Sequence, residues 1–302
     1  MSASATPGGS EVRTGALAAA GAYFLWGLVP LYWKQLGGID AVELIAHRRG
    51  WSLFVWLALT AGQGHLGVVW AACRTGRALG PHLLSAILLT GNWLVYVWGV
   101  NTGQVIETSL GYFLVPLVNV AAGRFILHER LRRAQWVAIA SAAAGVAVMM
   151  AQVGRPPWIA LALAATWGGY GLLRKQSPLD ALPALTLETL LFLPLAAAVL
   201  GWAGAAGHGA LGRVDGATHA LLLSAGVITT IPLLLFGYGA RRIRLSTLGL
   251  LQYLAPSVQL VIGVWVYREP FARERALGFG FIWAALALYT ADNLLAARRA
   301  RA

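Results

Sequence analysis

Three ionisable side chains, His47, Arg48 and Glu188, stand inside long apolar stretches of this chain. If such stretches cross a membrane, an Arg, Lys or Asp at a helix centre costs about 2.5–3.5 kcal/mol on insertion scales, so each group needs a partner, water or a role. A histidine with a pKa of about 6.5, or a desolvated glutamate, could titrate in the working range. We therefore expect these side chains to line a polar path, where they bind substrate or take part in proton movement. The alternative is structural hydrogen bonding at helix ends near the interface.

A second group of polar side chains can form hydrogen bonds without the cost of a full charge, which suits a polar substrate. Two of them, Tyr112 and Tyr253, lie just before Pro116 and Pro256, where a broken or kinked helix would expose its backbone to a cavity. The alternative is bonding between helices, worth about 0.6 kcal/mol per bond in membranes. The whole group is Asn92, Asn101, Tyr112, Asn119, Gln252, Tyr253 and Gln259.

Two tryptophans, Trp26 and Trp167, could stack on an aromatic substrate. The competing interpretation is that the 13 tryptophans mostly form interfacial belts. Two other groups of polar residues are typical of helix starts, where an acid or hydroxyl satisfies free N–H groups. They are Glu107 with Thr108 and Ser109, and Ser246 with Thr247. The pairs Glu129-Arg130 and Arg268-Glu269 are predicted to form surface ion pairs, or gates between two parts of the chain.

The composition requires a solvent other than water. Of the 302 residues, 58% are hydrophobic and 11% are charged, whereas soluble domains carry about 25% charged residues. The mean hydropathy of +0.67 agrees. These values exclude a soluble globular domain, and also a disordered, collagen-like or coiled-coil chain.

The net charge of +12 does not indicate a nucleic-acid partner. The basic residues form short clusters between apolar runs, such as 130–133 and 241–244, as membrane insertion requires. The chain has one cysteine, Cys73, which permits no internal disulfide and no cysteine zinc cluster. No metal or cofactor is expected.

A helix crosses the hydrocarbon core with about 20 apolar residues, and the chain contains ten runs of that kind. A disordered tail, 1–14, is expected before them and a basic tail, 296–302, after them. Positive charge divides as 15 Lys and Arg on the side of the N-terminus and 6 on the other, with Arg48 and Arg49 inside the second run, which favours both termini in the cytoplasm. The runs are 15–34, 42–61, 82–101, 103–123, 133–151, 157–173, 183–201, 217–237, 246–266 and 275–295.

The two halves of the chain repeat each other at offsets of 140 or 141 residues. Each half, 15–151 and 157–295, holds five runs, and because five is odd the second copy must enter the membrane from the opposite face. Such an inverted repeat exposes a central site to each side in turn, with His47 toward the outer face and Glu188 toward the inner one. The alternative is that the repetition reflects packing alone. The recurring pairs are Trp26-Gly27 with Trp167-Gly168, Lys34-Gln35 with Lys175-Gln176, Pro116 with Pro256, and Glu129 with Glu269.

Short motifs between about Gly15 and Asn293 match one known family. By these motifs the chain resembles the RarD-type permeases of the EamA family, within the drug/metabolite transporter superfamily. The resemblance implies ten helices, two EamA repeats and a permease in the bacterial cytoplasmic membrane. The matching residues are His47-Arg48 with Trp51-Ser52, Gly91-Asn92-Trp93 through Asn101, 107–117, Glu129-Arg130 with Arg132-Arg133 and Gln135-Trp136, Tyr170-Gly171-Leu172 with Arg174-Lys175, Glu188-Thr189 with Leu193-Pro194, Thr229-Thr230 with Pro232-Leu233-Leu234, 242–249, and Gln252-Tyr253 with Pro256.

Signatures of several enzyme classes are missing from the sequence. It contains no GxxxxGK[ST] phosphate loop, no HExxH and no GxSxG. We therefore predict an all-α polytopic membrane protein that acts as a secondary transporter and exports small metabolites or drugs. Its predicted partners are the lipid bilayer, a small-molecule substrate and protons as a coupling ion, in a monomer or homodimer. The alternatives are a membrane-embedded enzyme with Glu188 and His47 as acid and base, and a lipid scramblase or binding module.

Overall fold

The computed structural model describes residues 9–102, 104–151, 156–268 and 273–299, and the regular structure in these ranges is helical. Each predicted run corresponds to a helix or to a group of helices. Two short irregular helices, a 3₁₀ turn at Lys34–Leu36 and a π turn at Ile262–Val266, accompany the α-helices. The α-helices are α1 (Gly9–Trp33), α2 (Ala41–Gly62), α3 (Leu66–Cys73), α4 (Gly76–Asn101), α5 (Val105–Phe125), α6 (Arg133–Met150), α7 (Trp158–Gln176), α8 (Ala181–Ala205), α9 (Gly216–Arg242), α10 (Leu245–Leu251), α11 (Leu254–Val261) and α12 (Arg273–Arg299).

The N-terminal part of the described structure differs from the sequence expectation. The first helix begins at Gly9, so residues 9–14 of the expected N-terminal tail are helical, and residues 1–8 lie outside the described ranges. At the other end α12 continues to Arg299, through most of the expected basic tail. Once a helix has formed, each added residue contributes one further backbone hydrogen bond, which favours both extensions.

Seven helical segments in the described ranges are long and apolar enough to cross a membrane. An eighth is obtained if α2 and α3, which meet at an angle of 115°, are counted as one span. The apolar part of α5, Leu110–Phe125, is shorter. The protein is thus an all-helical, polytopic membrane protein, while the count of ten spans stays a prediction.

The two prolines of the repeat have different effects on their helices. The ninth run is divided at Gln252 and Tyr253, between α10 and α11, whereas α5 continues through Pro116. At the division, backbone bonds from Tyr253 N to Leu250 O and from Ala255 N to Gln252 O replace the α-helical pattern. Pro256 lies in the first turn of α11, where a missing N–H costs little.

Glycines allow two pairs of helices to approach closely. A Cβ atom placed at Gly27 of α1 would lie 2.5 Å from Cβ of Val258 in α11. A Cβ atom placed at Gly168 of α7 would lie 2.6 Å from Cγ1 of Val118 in α5. Both glycines belong to the recurring Trp-Gly pairs, so this part of the repetition has a packing role.

Helix contacts in one half of the chain recur between the equivalent helices of the other half. In this comparison α1, α2, α4, α5 and α6 are equivalent to α7, α8, α9, α10–α11 and α12. The contact of α1 with α9 corresponds to that of α7 with α4, and the contact of α5 with α7 corresponds to that of α11 with α1. Three further contacts, α6 with α12, α2 with α8 and α5 with α10, join equivalent helices. The main core lies between the halves, where Tyr23, Trp167, Tyr170 and Phe236 pack together.

Candidate functional site

A cavity with about 470 Å³ of empty space, its opening included, lies among α1, α2, α4, α7, α8 and α9. Both halves of the chain contribute to its wall. Four of the residues predicted from sequence are in that wall: Trp26, Arg48, Trp167 and Glu188. The full lining consists of Trp26, Arg48, Arg49, Ser52, Trp56, Leu89, Trp93, Trp167, Leu185, Glu188, Thr189, Thr229 and Leu233.

Arg48 enters the cavity from α2 and is 5% exposed. Its guanidinium carbon lies 3.8 Å from the centroid of the Trp93 ring on α4, in a cation–π contact. Its Nε has no hydrogen-bond partner among the residues that the structure describes. This contact leaves the Nε donor of Arg48 available for another group.

The neighbouring Arg49 also lines the cavity, although it was not predicted as a site residue. It is half-buried, and one of its terminal nitrogens lies 3.4 Å from Oγ1 of Thr90, which is a long contact for a hydrogen bond. Its position inside the second apolar run, beside Arg48, was the sequence signal that could have identified it.

Glu188 on α8 forms a buried ion pair with Arg174 near the end of α7. Arg174 Nη1 lies 3.1 Å from Glu188 Oε1, and both side chains are 1% exposed. Within the described ranges, Oε2 of Glu188 and the Nε and Nη2 of Arg174 have no hydrogen-bond partner. In the sequence analysis, Arg174 is one of the 15 basic residues assigned to the side of the N-terminus, because it is next to Lys175 at the end of an apolar run. Its pairing with Glu188 was therefore not predicted.

His47 does not line the cavity. Its Nε2 lies 3.4 Å from Oε1 of Glu43, one turn earlier in α2. The same carboxylate oxygen accepts a hydrogen bond from the backbone N–H of Ala210, at 2.6 Å, in the connection before α9. His47 lies about one turn into α2. Its side chain is on the side of the helix that faces the connection between α8 and α9, whereas Arg48 is on the side that faces the cavity.

Asn92 and Tyr112 join three helices beside the cavity. The amide of Asn92 donates to the carbonyl oxygen of Leu163 at 3.0 Å and to Oγ1 of Thr166 at 2.9 Å. The hydroxyl of Tyr112 donates to Oδ1 of Asn92 at 3.1 Å. These bonds link α4, α5 and α7. They agree with the alternative interpretation of the polar group, hydrogen bonding between helices.

Four further polar candidates, Asn119, Gln252, Tyr253 and Gln259, are not part of the cavity lining. The hydroxyl of Tyr253 donates to the carbonyl oxygen of Phe113 at 3.2 Å, and Nε2 of Gln259 donates to that of Trp26 at 3.3 Å. Asn119 and Gln252 are buried, and each has a side-chain oxygen without a partner in the described part of the chain. The side chain of Asn101 lies outside the described residues.

The two predicted tryptophans pack against each other. The ring centroids of Trp26 and Trp167 are 5.5 Å apart at an interplanar angle of 77°, and both rings contact Phe236. Edge-to-face pairs of this kind are favourable beyond the area that they bury. The pair forms an aromatic wall that connects α1 to α7 on one side of the cavity.

The start of α10 is capped from the other half of the chain. The carboxylate of Glu129 accepts hydrogen bonds from the backbone N–H groups of Leu245 at 2.6 Å and Ser246 at 3.1 Å, and from the Ser246 hydroxyl at 2.6 Å. Ser246 was predicted to cap this helix itself; instead it lies inside the first turn of α10, which begins at Leu245, and its hydroxyl donates to the glutamate. The bond connects the segment after α5 to α10, on the side where α7 ends.

The ligand types in the cavity do not form a metal centre. Among the described residues no three His, Cys, Asp or Glu side chains stand close enough to hold a metal ion. The cavity can instead offer cationic donors, one carboxylate, hydroxyl groups and indole rings.

Sequence comparisons with known proteins place the chain in a transporter family. The model of the EamA-like transporter family matches residues 13–151 and again residues 156–291. Protein RarD of Streptomyces exfoliatus is 48% identical over 296 positions, which cover 97% of this chain and 93% of that protein. A Vibrio cholerae serotype O1 protein named "Uncharacterized transporter" is 43% identical over 98% of this chain and 99% of its own. A crystal structure with 19% sequence identity has a TM-score of 0.70, covering 91% of this chain and 96% of that one, and shows a shared fold.

Proposed function

Because the chain belongs to the EamA-like transporter family, we propose that it is a secondary transporter that exports small metabolites or drugs by alternating access. The family and the apolar helices show that the chain is a multi-pass protein of a bacterial transporter family. The observation that carries the proposal is a central cavity with buried charged groups, lined by helices of both halves. Charged groups at such a depth are typical of substrate and ion pathways.

The proposed architecture is ten spans in two inverted repeats of five helices. The family model matches each half separately, over 13–151 and 156–291, which supports duplication. The correspondence of helix contacts between the halves, and the equivalent glycines Gly27 and Gly168, support it independently. With five spans in each copy, the second copy is upside down relative to the first, and the cavity lies between them as alternating access requires.

The proposed location is the bacterial cytoplasmic membrane, with both termini in the cytoplasm. The support is the unequal distribution of Lys and Arg between the two sets of connections. In this orientation α7 ends at the cytoplasmic side, and the bond from Glu129 to the start of α10 closes part of that side.

Within the cavity we propose that Arg48 and Glu188 contact substrate or take part in proton coupling. Trp26 and Trp167 would provide the aromatic wall against which the substrate packs. His47, which contacts Glu43 in the first turns of α2, would act in proton movement at the outer side. Asn92 and Tyr112 would hold the wall helices in place.

Flux into proteoliposomes tests the proposal. Purified protein is reconstituted, a pH gradient is imposed, and a panel of labelled metabolites and drugs is assayed against protein-free vesicles. We expect at least one compound to accumulate against its gradient, and the Glu188→Gln variant to lose most of that flux at normal expression. Exposed Glu11 offers the matched control, because Glu11→Gln removes a carboxylate far from the cavity lining.

Two results would contradict the proposal. No accumulation of any compound in sealed vesicles would exclude concentrative transport. Product formation in detergent, without a compartment, would instead favour the membrane-embedded enzyme.

A further inference from the structure

We propose that the central cavity binds an organic anion, whose oxyanion group is held by Arg48 and Arg49 and whose flat apolar body packs among the tryptophans. The inference rests on the proposed transport function and names the class of its substrate.

The charges around the cavity are unbalanced. Three ionisable side chains line it, and two of them, Arg48 and Arg49, are arginines. The third, Glu188, is already paired with Arg174 at 3.1 Å. Three guanidinium groups therefore accompany one carboxylate, an excess of two positive charges. An arginine stays protonated in proteins, so a bound anion would neutralise this excess.

Other buried carboxylates in the described ranges are engaged elsewhere. Glu43 bonds the Ala210 N–H and contacts His47. Glu107 accepts a hydrogen bond from the backbone N–H of Ile159 at 2.8 Å. Neither belongs to the cavity lining, so the protein supplies no second counter-charge from these positions.

The two arginines have donors to spare. Arg48 stacks on Trp93, and its Nε is without a partner in the described part of the chain. Arg49 reaches Thr90 only at 3.4 Å. A planar guanidinium group matches the two oxygens of a carboxylate, and such charge-assisted pairs are about twice as strong as neutral hydrogen bonds. A buried charge without a partner is costly, which favours occupancy by a ligand that brings the opposite charge.

The rest of the lining selects an apolar body. Trp26 and Trp167 form one wall as an edge-to-face pair, and Trp56, Trp93 and Leu185 add further apolar surface. Indole faces favour flat rings. A small inorganic anion would satisfy the arginines but would leave this surface unused.

Matched ligands of different charge test the proposal on the full-length protein in detergent. Isothermal titration calorimetry compares phenylacetate with phenylacetamide and phenethylamine, and indole-3-acetate with indole-3-acetamide and tryptamine, with acetate as the ring-free anion. We expect each aromatic carboxylate to bind at least tenfold more tightly than its amide, its amine and acetate.

Variants connect that preference to the two arginines. Arg48→Gln and Arg49→Gln should each lower the preference for carboxylate over amide by about tenfold, while Arg124→Gln, at an exposed position of α5, should leave it unchanged. A preference that both cavity variants retain as monodisperse protein overturns the assignment. If a variant does not fold, the wild-type comparison still decides: equal affinity for carboxylates and amides, or no binding of any of the compounds, overturns the proposal.

Flux separates this inference from the transport function. Proteoliposomes that move the amides or amines but not the carboxylates would contradict the anion site and leave transport standing. Carboxylates that bind but are never moved, in a preparation that moves no other compound, would support the anion site and contradict transport.

Discussion

At the scale of single residues, Arg174 and Glu188 form a buried ion pair, and the proposed role of Glu188 in the cavity has to be separated from its role in stability. Both side chains are 1% exposed and 3.1 Å apart, and removing one partner of such a pair costs about 3–5 kcal/mol, because an uncompensated charge stays behind. Loss of activity in a single variant therefore does not distinguish a folding role from a role in the cavity.

A pair of single variants and their double variant makes that distinction. We expect Arg174→Met and Glu188→Gln to lower thermal stability in detergent, each leaving one unpaired group. The combined variant should recover part of the loss, since no buried charge then remains in the pair. It should still be inactive in proteoliposome flux if Glu188 acts on substrate or protons.

The opposite results would assign the pair to structure. Restored flux in the double variant would exclude a direct role for Glu188. Additive losses of stability would indicate that the two groups do not interact in the folded protein. The control is Arg124→Met, which removes an exposed arginine.

At the scale of elements, glycine determines how near two helices can come. The distances from a Cβ built at Gly27 or Gly168 to the facing valines, 2.5 and 2.6 Å, are shorter than real Cβ contacts allow. Close backbone approach through small residues is a common mode of association between membrane helices. These two contacts join α1 to α11 and α7 to α5.

Alanine at either glycine is expected to separate the helices. Gly27→Ala and Gly168→Ala should each destabilise the protein by about 1–3 kcal/mol, the usual cost of overpacking, measured as a lower thermal unfolding midpoint. Gly91→Ala is the matched control, since a Cβ there meets no atom within 4 Å, and helix propensity favours alanine. Removal of the facing methyl groups with Val118→Ala should partly rescue Gly168→Ala, because the closest atom to the added Cβ there is Cγ1 of Val118; a failure of that rescue would contradict the contact.

The start of α9 depends on a charged cap outside the membrane. Oδ1 of Asp215 accepts hydrogen bonds from the N–H groups of Ala217 at 2.9 Å and Thr218 at 3.0 Å, and Oδ2 accepts one from the Thr218 hydroxyl at 2.6 Å. The bonds to the Thr218 hydroxyl and to the backbone lower the pKa of this carboxyl below its ordinary value. Since the folded-state pKa is the lower one, the stabilisation is complete above the unfolded-state pKa of about 3.9 and is lost as pH falls through the folded-state value.

Amide hydrogen exchange at 217 and 218 measures this cap. Asp215→Ala should speed exchange there at pH 7, while Asp215→Asn, which keeps an acceptor, should have a smaller effect. At each pH the variant is compared with the wild type, and the difference should shrink as pH falls below about 3.9. An equal difference at all pH values would show that the ionised carboxylate is not what caps the helix.

At the scale of the whole molecule, the question is the relative orientation of the two halves. The equivalent residues Gln35 and Gln176 are both exposed, one after α1 and the other at the end of α7. In an inverted repeat they lie on opposite sides of the membrane, and in a parallel repeat they lie on the same side.

Labelling of single cysteines measures that orientation. In a Cys73→Ser background, which removes the natural cysteine, intact cells are treated with an impermeant maleimide. We expect Gln35→Cys to react from outside and Gln176→Cys to react only after permeabilisation. Reaction of both from the same side would contradict the inverted arrangement and, with it, alternating access at the cavity.

Much of the helical organisation is predictable from composition and local pattern. A chain with 58% hydrophobic residues and runs of about 20 of them forms helices in lipid, because each run has to satisfy its own backbone hydrogen bonds there and is too long for a strand. The same reasoning identified Arg48 and Glu188, since isolated charges in such runs are rare. Family motifs then predicted the transporter class, which the comparisons confirm.

Part of the composition of the cavity was decided only by the tertiary structure. Arg49 and Arg174 are as basic in sequence as the loop arginines, yet one lines the cavity and the other is buried against Glu188. The pairing of Asn92 with Tyr112, and the separation of His47 from the cavity, depend on how α2, α4, α5 and α7 are rotated against one another. Hydropathy determines that a helix is in lipid, but only packing against its neighbours determines which face each side chain meets.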